Sequence, residues 1–204
     1  MLEQLFHYFE QNPFIYLEIL GAILTIWCVY LASKNNILNW PMSMLASVVY
    51  FFVFFQNRFF SDAYLQVIFL MVQSYGWWYW SALNHSKTNK KITKITFKYA
   101  LILLIFSVSL YFIWYSVYIK INPNARSPYI DTLCTVLSIT ALYMQAKHWL
   151  ENWILWIVVD LIYVPMYLNG NQFITAALYT FLIVLAAKGF LEWKQKMLAE
   201  ENQD

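Results

Sequence analysis

The sequence predicts an all-α membrane protein with seven transmembrane helices, built as two parallel three-helix repeats joined by a linker helix. Three observations support this fold class. The composition is 61% hydrophobic and 21% aromatic with only 12% charged residues, whereas soluble domains carry about 25% charged residues. Seven apolar runs follow one another along the chain, and the first three resemble the last three.

Each apolar run has about the 20 residues that an α-helix needs to cross a hydrocarbon core. The predicted spans cover residues 14–32, 37–56, 60–80, 98–119, 128–146, 150–168 and 172–191 of one transmembrane domain, 1–204. Residues 1–13 lack the basic region of a signal peptide, so the first span is expected to be retained. The polar segment 84–94 must lie in water, and 194–204 is predicted to be a mixed-charge cytoplasmic tail with no apolar face.

The distribution of lysine and arginine predicts the orientation, because loops that stay in the cytoplasm retain positive charge. With seven spans, ten of these residues fall on the side of the C-terminus: Lys34, Lys87, Lys90, Lys91, Lys94, Lys98, Lys147, Lys188, Lys194 and Lys196. The other side receives three: Arg58, Lys120 and Arg126. The N-terminus is therefore predicted outside and the C-terminus in the cytoplasm.

An internal repeat relates residues 16–80 to residues 129–193 at a constant offset of 113 without a gap. The matched identities include uncommon residues: Asn39 with Asn152, Trp40 with Trp153, Gly76 with Gly189, and Trp80 with Trp193. We assign 14–80 to repeat 1, 98–119 to the linker span and 128–193 to repeat 2. Equivalent spans are four apart in the order of the helices, an even number, so the two repeats cross the membrane in the same direction. Parallel-repeat transporters bind substrate near the midplane between their halves.

The two repeats differ at their polar positions. At the offset of 113, Trp156 corresponds to Ser43, Asp160 to Ser47, and Gln73 to Ala186. An ion pore would more naturally repeat its polar ring. This asymmetry predicts a single asymmetric ligand.

The sixth span carries the main candidate site. Asn152, Trp156, Asp160 and Tyr163 are spaced so that they form one stripe on a helix. A carboxylate near the middle of a membrane helix costs several kcal/mol unless it faces a protein interior or a wet cavity. Asp160 is therefore a predicted functional residue, with Trp156 one turn away.

Two other spans offer polar faces. On the third span, Gln73 can both donate and accept hydrogen bonds, with Trp77 four residues on. On the fifth span, Asp131, Thr135 and Ser138 share a face. Asp131 lies close to the outer end, so solvation of this carboxylate remains an alternative to ligand binding.

These groups suit a flat, cationic or nitrogen-rich heterocycle with hydroxyls, because tryptophan faces attract cations and a buried carboxylate supplies the counter-charge. Catalysis has little support, since the sequence shows no nucleophile with a base, no phosphate-binding loop and no metal-ligand spacing. No cofactor is expected. The net charge of +2 gives no reason to expect nucleic acid, and Cys28 and Cys134 lie inside apolar runs as small hydrophobic residues. A membrane enzyme or a binding scaffold stays open as the alternative to a carrier.

Three stretches carry a family resemblance: QSYGWWYW at the end of the third span, PYIDTLCTVLSITALYMQAK in the fifth and ENWILWIVVDLIYVPMYL in the sixth. With them, residues 14–193 resemble the PnuC family of bacterial vitamin uptake transporters. The resemblance implies a fold similar to the SWEET transporters in the bacterial inner membrane, a homotrimer, and facilitated diffusion of nicotinamide riboside with cytoplasmic phosphorylation trapping the product. It also implies ligand contacts at Gln73, Asp131, Ser138, Asn152, Trp153, Trp156 and Asp160.

The resemblance leaves the vitamin open between nicotinamide riboside and thiamine or another nucleoside-like vitamin. Some riboside-carrying relatives have Asn at the position of Asp160, and other members of the family carry thiamine or other nucleoside-like vitamins. Both nicotinamide riboside and thiamine present a cationic ring, so Asp160 does not distinguish them. We prefer the riboside as the commoner substrate, and uncoupled movement over proton coupling, since no second intramembrane acid lies close to Asp160 in sequence.

Overall fold

A computed structural model of the chain describes residues 15–56, 60–85, 91–121, 128–169 and 173–202. These residues form seven α-helices: α1 Ile15–Ser33, α2 Asn39–Gln56, α3 Phe60–His85, α4 Phe97–Ile121, α5 Pro128–Ala146, α6 Asn152–Asn169 and α7 Phe173–Glu201. A helix stands at each of the seven predicted spans. The predictions for residues 1–13, for part of the polar segment (86–90) and for Arg58 and Arg126 lie outside the described residues.

The C-terminal helix is longer than predicted. Helix α7 continues to Glu201, through most of the stretch that the sequence predicts as a tail without an apolar face. Trp193 and Met197 are almost fully buried in it and pack with Trp80, Trp153 and other side chains in one apolar cluster. The spacing of four residues puts both on one helix face, so tertiary packing stabilises helix where the composition alone predicts a charged tail.

Four of these helices, α1, α4, α6 and α7, are long and apolar enough to cross a membrane on composition alone. Helices α2, α3 and α5 do not meet that criterion among the described residues. Helix α5 shows why: Thr132, Thr135, Ser138 and Gln145 are all buried inside the protein rather than facing outward. The chain is an all-α membrane protein in which some helices are shielded by the others.

Six helices form a closed ring. The main helix contacts join α1 to α2, α2 to α3, α3 to α5, α5 to α6, α6 to α7 and α7 back to α1. Helix α4 packs mainly against the outside of α5, and Tyr118 is its one buried residue. The apolar side chains that α4 exposes suit contact with lipid.

The turns before α2 and before α6 have the same backbone geometry. Asn35 and His148, which are 113 residues apart, both have φ of 58°. Asn39 donates from Nδ2 to the carbonyl oxygen of Asn36 over 2.6 Å, and Asn152 donates in the same way to the carbonyl oxygen of Trp149 over 2.7 Å. Each asparagine thus closes a left-handed turn, a conformation that asparagine and histidine tolerate better than most residues.

Each turn is followed by the same packing of one tryptophan ring against a glycine and a second tryptophan: Trp40 against Gly76 and Trp80 in the first set, Trp153 against Gly189 and Trp193 in the second. The tryptophan rings meet edge to face, with centroids 5.4 Å apart in the first set and 5.6 Å apart in the second. A Cβ on the glycine would lie 2.4 Å from ring carbons in the first set and 2.6 Å in the second. Only glycine lets the helices approach this closely.

Two tryptophans tie distant helices together at this end of the ring. Trp80 donates from Nε1 to the carbonyl oxygen of Ala146 on α5 over 3.0 Å, and Trp193 donates to that of Ala32 on α1 over 2.9 Å. The ring of His148 stacks between them, with centroids 4.2 Å from Trp80 and 5.9 Å from Trp193. Both bonds satisfy carbonyl groups at the C-terminal ends of helices, where intrahelical partners are missing.

The connection between α3 and α4 lies at the same end. Thr93 donates its backbone N–H to the carbonyl oxygen of His148 over 3.1 Å, and Leu150 donates to that of Thr93 over 3.0 Å. The carboxylate of Glu151 accepts from the backbone N–H of Ile95 over 2.9 Å. This end therefore holds the turn before α6 and the basic connection that the sequence predicts on the cytoplasmic side.

Candidate functional site

A cavity of about 150 Å³ lies inside the ring, and all six ring helices contribute to its lining. Most of the wall is apolar, with a small number of polar side chains aimed into it. This composition is typical of sites for small molecules, in which a few polar groups fix the orientation of the ligand.

Helix α6 contributes the wall that the sequence singles out. Trp153, Trp156 and Asp160 line the cavity together, because residues three, four and seven apart share one face of a helix. Asp160 is only 3% exposed. The described residues give its carboxylate no hydrogen-bond partner, so a partner must come from water or a ligand.

Across the cavity, Gln73 of α3 pairs with Ser47 of α2. The amide Nε2 of Gln73 donates to the hydroxyl of Ser47 over 3.0 Å, and that hydroxyl lies 3.3 Å from Oε1 of Gln73. Both side chains are buried. Each side chain gives the other a hydrogen-bond partner, and each keeps further hydrogen-bonding capacity.

The indole of Trp156 is held by a residue of another helix. Its Nε1 donates to Oε1 of Gln145 on α5 over 3.3 Å. The Nε2 of Gln145 in turn donates to Oδ1 of Asn39 on α2 over 3.2 Å. Gln145 and Asn39 also line the cavity.

Trp153 and its counterpart Trp40 each carry a buried indole N–H without a hydrogen-bond partner among the described residues. Only Trp153 lines the cavity. Because the two indoles lack partners alike, the free N–H does not by itself mark Trp153 as a ligand contact.

The structure does not bring three of the predicted ligand contacts into the cavity lining. Asn152 is fully buried in the turn before α6. Asp131 accepts a hydrogen bond of 2.8 Å from the hydroxyl of Tyr118 on α4. Ser138 is 1% exposed and lies among the helices outside the lining. A ligand role for these residues stays a prediction.

Two features of the third and fifth spans differ from the sequence pattern. Trp77, predicted to accompany Gln73, is 44% exposed and lies outside the cavity lining. Residues four apart share a helix face only to within about 40° around the axis, so the spacing alone does not decide whether both side chains reach the cavity. Thr135 is buried but also lies outside the lining.

Sequence reasoning missed Gln145 and undervalued Ser47. Gln145 lies seven residues after Ser138 on α5, so extending the polar face of that span by two turns finds it. Ser47 is the repeat equivalent of Asp160, and the sequence comparison singled out Asp160 as the more polar of these two residues. The partner of Ser47, Gln73, comes from a different helix, so no spacing within one helix reveals the contact.

Among the residues that the structure describes, Asp160 is the single carboxylate of the cavity lining, which includes no lysine, arginine or histidine. A lone carboxylate beside tryptophan rings favours a cation with a flat ring. The described residues include no group of three or more His, Cys, Asp or Glu side chains that could hold a metal ion. The lining thus has the means to bind and orient a ligand, and it lacks the paired nucleophile and base that acyl or glycosyl transfer requires.

The model of the nicotinamide mononucleotide transporter family matches residues 15–195. The nicotinamide riboside transporter PnuC of Escherichia coli K12 is 25% identical, covering 87% of this chain and 84% of that protein. The riboflavin/roseoflavin transporter RibM of Streptomyces davaonensis is 26% identical over 91% of this chain and 87% of its own length. The crystal structure of the vitamin B3 transporter PnuC superposes with a TM-score of 0.74 at 22% identity, covering 94% of this chain and 86% of that one.

Proposed function

The chain belongs to the nicotinamide mononucleotide transporter family, and from that premise we propose that it takes up nicotinamide riboside through the cavity inside the helix ring. It is a membrane transporter and not an enzyme, since the relatives that cover most of its length are named as transporters. The substrate proposal rests on the buried carboxylate of Asp160, which lines the cavity beside Trp153 and Trp156.

The charge of the cavity favours one group of vitamins over another. Nicotinamide riboside carries a pyridinium ring and thiamine a thiazolium ring, and both rings are positive at neutral pH. Riboflavin, which the name of the Streptomyces relative includes, is neutral there. A carboxylate that is 3% exposed and has no partner among the described residues gains most from a cationic ligand. Thiamine stays the second candidate.

We further propose that Trp156 and Asp160 contact the ring, and that Gln73 and Ser47 bind the ribose hydroxyls from the opposite wall. Trp156 offers a face for stacking and Asp160 the counter-charge. Gln73 and Ser47 each combine a donor with an acceptor, as a sugar hydroxyl does. Asp131, Ser138 and Asn152 would act on substrate only in a conformation that brings them into the cavity.

The architecture that we propose is the 3+1+3 arrangement, with α1 to α3 and α5 to α7 as parallel repeats and α4 as the linker. The matching turns at Asn35 and His148 and the matching glycine–tryptophan packing support it. Seven crossings of the inner membrane would put the two termini on opposite sides, and the lysine distribution supports an N-terminus outside and a C-terminus in the cytoplasm. The resemblance also implies a homotrimer. In such an assembly the exposed side of α4 would face a neighbouring subunit or lipid.

Uncoupled movement is the mechanism that the cavity supports best. Proton coupling in transporters uses chains of acidic or histidine side chains, and Asp160 is the lone titratable carboxylate in the lining. Phosphorylation by a cytoplasmic kinase would then retain the product without a pump in this protein.

The test is uptake of labelled nicotinamide riboside by purified protein in sealed lipid vesicles. We expect uptake down the gradient without accumulation, and competition by unlabelled nicotinamide riboside that exceeds competition by thiamine or riboflavin. Stronger competition by thiamine would reassign the substrate. Accumulation driven by a pH gradient in the absence of kinase would overturn the uncoupled mechanism.

A further inference from the structure

Gln145 links the candidate site to the opposite half of the ring. Its amide accepts from the indole N–H of Trp156 over 3.3 Å and donates to Oδ1 of Asn39 over 3.2 Å. Gln145 is 7% exposed and Asn39 is 1% exposed, so both side chains lie in the protein interior. These two hydrogen bonds form the Gln145 bridge.

The direction of every hydrogen bond in the bridge is determined. Asn39 must present Nδ2 to the carbonyl oxygen of Asn36, because that oxygen can only accept. Its Oδ1 is then the acceptor on the other side, and Gln145 must turn its own Nε2 toward it. This leaves Oε1 of Gln145 for Trp156, whose indole can only donate. The orientation of the amide, and with it the tilt of the indole, follows from the turn before α2.

The bridge is absent from the equivalent place in the other half. At the offset of 113, Gln145 corresponds to Ala32 and Trp156 to Ser43. Asn152 closes its turn as Asn39 does, yet its Oδ1 has no partner among the described residues. The turn asparagine is therefore shared, and its use as an anchor for a cavity side chain is specific to Asn39.

We propose that Gln145 is a positioning residue for the substrate, acting through Trp156 and anchored on α2 by Asn39. This inference rests on the proposed transport function. Trp156 and Gln145 belong to α6 and α5, and Asn39 belongs to the first three helices. A movement that separates Asn39 from Gln145 frees the amide and releases the indole. The affinity for the ring thus depends on how the halves are placed, which a carrier needs in order to bind on one side and release on the other.

The first experiment needs no substrate. Protein labelled with 5-fluorotryptophan is examined by ¹⁹F NMR, and the Trp156 resonance is identified as the one missing from Trp156→Phe. We expect Gln145→Met to shift and broaden that resonance, and Gln145→Glu, which retains an oxygen acceptor, to change it less. An unchanged Trp156 resonance in both variants overturns the proposal. If Gln145→Met does not fold, Gln145→Glu and Asn39→Ala supply the same comparison.

The second experiment is a double-mutant cycle on the Kd for labelled nicotinamide riboside, with thiamine as the alternative probe. A single hydrogen bond contributes about 0.5–1.5 kcal/mol, so Gln145→Met should weaken binding about two- to tenfold. Because Phe lacks the indole N–H, Gln145→Met should add little when Trp156→Phe is already present. Fully additive losses would show that Gln145 acts independently of Trp156 and contradict the proposal. If the unmodified protein binds neither vitamin, the proposed function fails, while the ¹⁹F measurement still decides the role of Gln145.

Discussion

The turn end of the helix ring and the polar part of the cavity wall differ in how far the two halves match. At the turn end, equivalent residues of the two halves make the same contacts: Trp40 packs on Gly76 as Trp153 packs on Gly189. In the cavity wall, equivalent residues differ: Asp160 has no partner among the described residues, whereas Ser47 is paired with Gln73. The turn end preserves the duplicated packing, and the polar side chains of the cavity wall depart from it.

This difference has a physical reason. Helices that approach through glycine tolerate no change of volume, since interiors are packed like crystals and overpacking is costly. A cavity wall has free volume on one side, so its side chains can change size and charge at little cost to packing. Polar specialisation can therefore accumulate at Trp156, Asp160 and Gln145 without disturbing the tryptophan clusters.

The largest difference between equivalent residues is expected at Asp160 and Ser47, which both line the cavity. Removing one partner of a buried charge pair costs about 2–5 kcal/mol, so Asp160→Ala should weaken vitamin binding about 30-fold or more. Ser47→Ala loses one neutral hydrogen bond, about 0.5–1.5 kcal/mol, and should weaken it about tenfold at most. Equilibrium binding to purified protein measures both.

In transport assays, Trp156→Ala and Asp160→Ala should each abolish uptake while leaving the protein folded. Equal losses for Asp160→Ala and Ser47→Ala would mean that the two halves contribute alike and that the cavity is not specialised. Normal transport by both Asp160→Ala and Trp156→Ala would show that this face serves only packing.

An intermediate effect is expected at the glycines, where the halves should behave alike. Overpacking a core costs about 1–3 kcal/mol, and the better helix propensity of alanine offsets about 1 kcal/mol of it. Since the rings of Trp40 and Trp153 are buried, Gly76→Ala and Gly189→Ala should each lower the free energy of unfolding, by up to about 2 kcal/mol. Thermal unfolding in detergent checks this.

Gly21→Ala is the matched control for the glycine pair. Its Cβ would lie 3.0 Å from the ring of Tyr50, a looser contact than at Gly76, so the loss should be smaller. A large loss at Gly76 with none at Gly189 would contradict the equivalence of the two tryptophan clusters.

The smallest effect is expected where equivalent lysines use different partners. Lys34 forms an ion pair of 2.8 Å with Glu192, and hydrogen bonding to Glu192 raises the pKa of Lys34 above its usual value. The equivalent Lys147 lies 4.1 Å from the ring centroid of Tyr79 and donates to the hydroxyl of Tyr75 over 2.6 Å. Exposed ion pairs contribute little and are screened by salt.

The stability lost in Glu192→Gln should therefore disappear when KCl rises from about 0.05 M to about 0.5 M. The stability lost in Tyr79→Leu should persist, because it comes from the partly shielded aromatic contact. Thermal unfolding at the two salt concentrations distinguishes them. The same salt response in both variants would show that the two lysine contacts are equivalent after all.

Most of the fold could be predicted from the sequence. The helices follow from apolar runs of membrane length, and each predicted span has its helix. The exception is the end of α7, where the burial of Met197 stabilises helix in a stretch of mixed charge. Packing against other helices is not visible in the composition of that stretch.

The candidate site could be predicted in part. Trp156 and Asp160 were found because one helix face is encoded by spacing within a single segment. The same reasoning pointed to Ser138 and Asp131, which the structure leaves outside the cavity lining, because spacing says which residues share a face and not which way that face turns.

Composition and the period of a single helix are enough to predict the class of the protein, a helix at each of the seven spans and the helix face that carries Trp156 and Asp160. Which polar groups meet depends on how the helices pack. Gln145 reaches both Trp156 and Asn39 because three helices have a particular rotation and register. Those two quantities come from packing across the ring, and no local pattern records them.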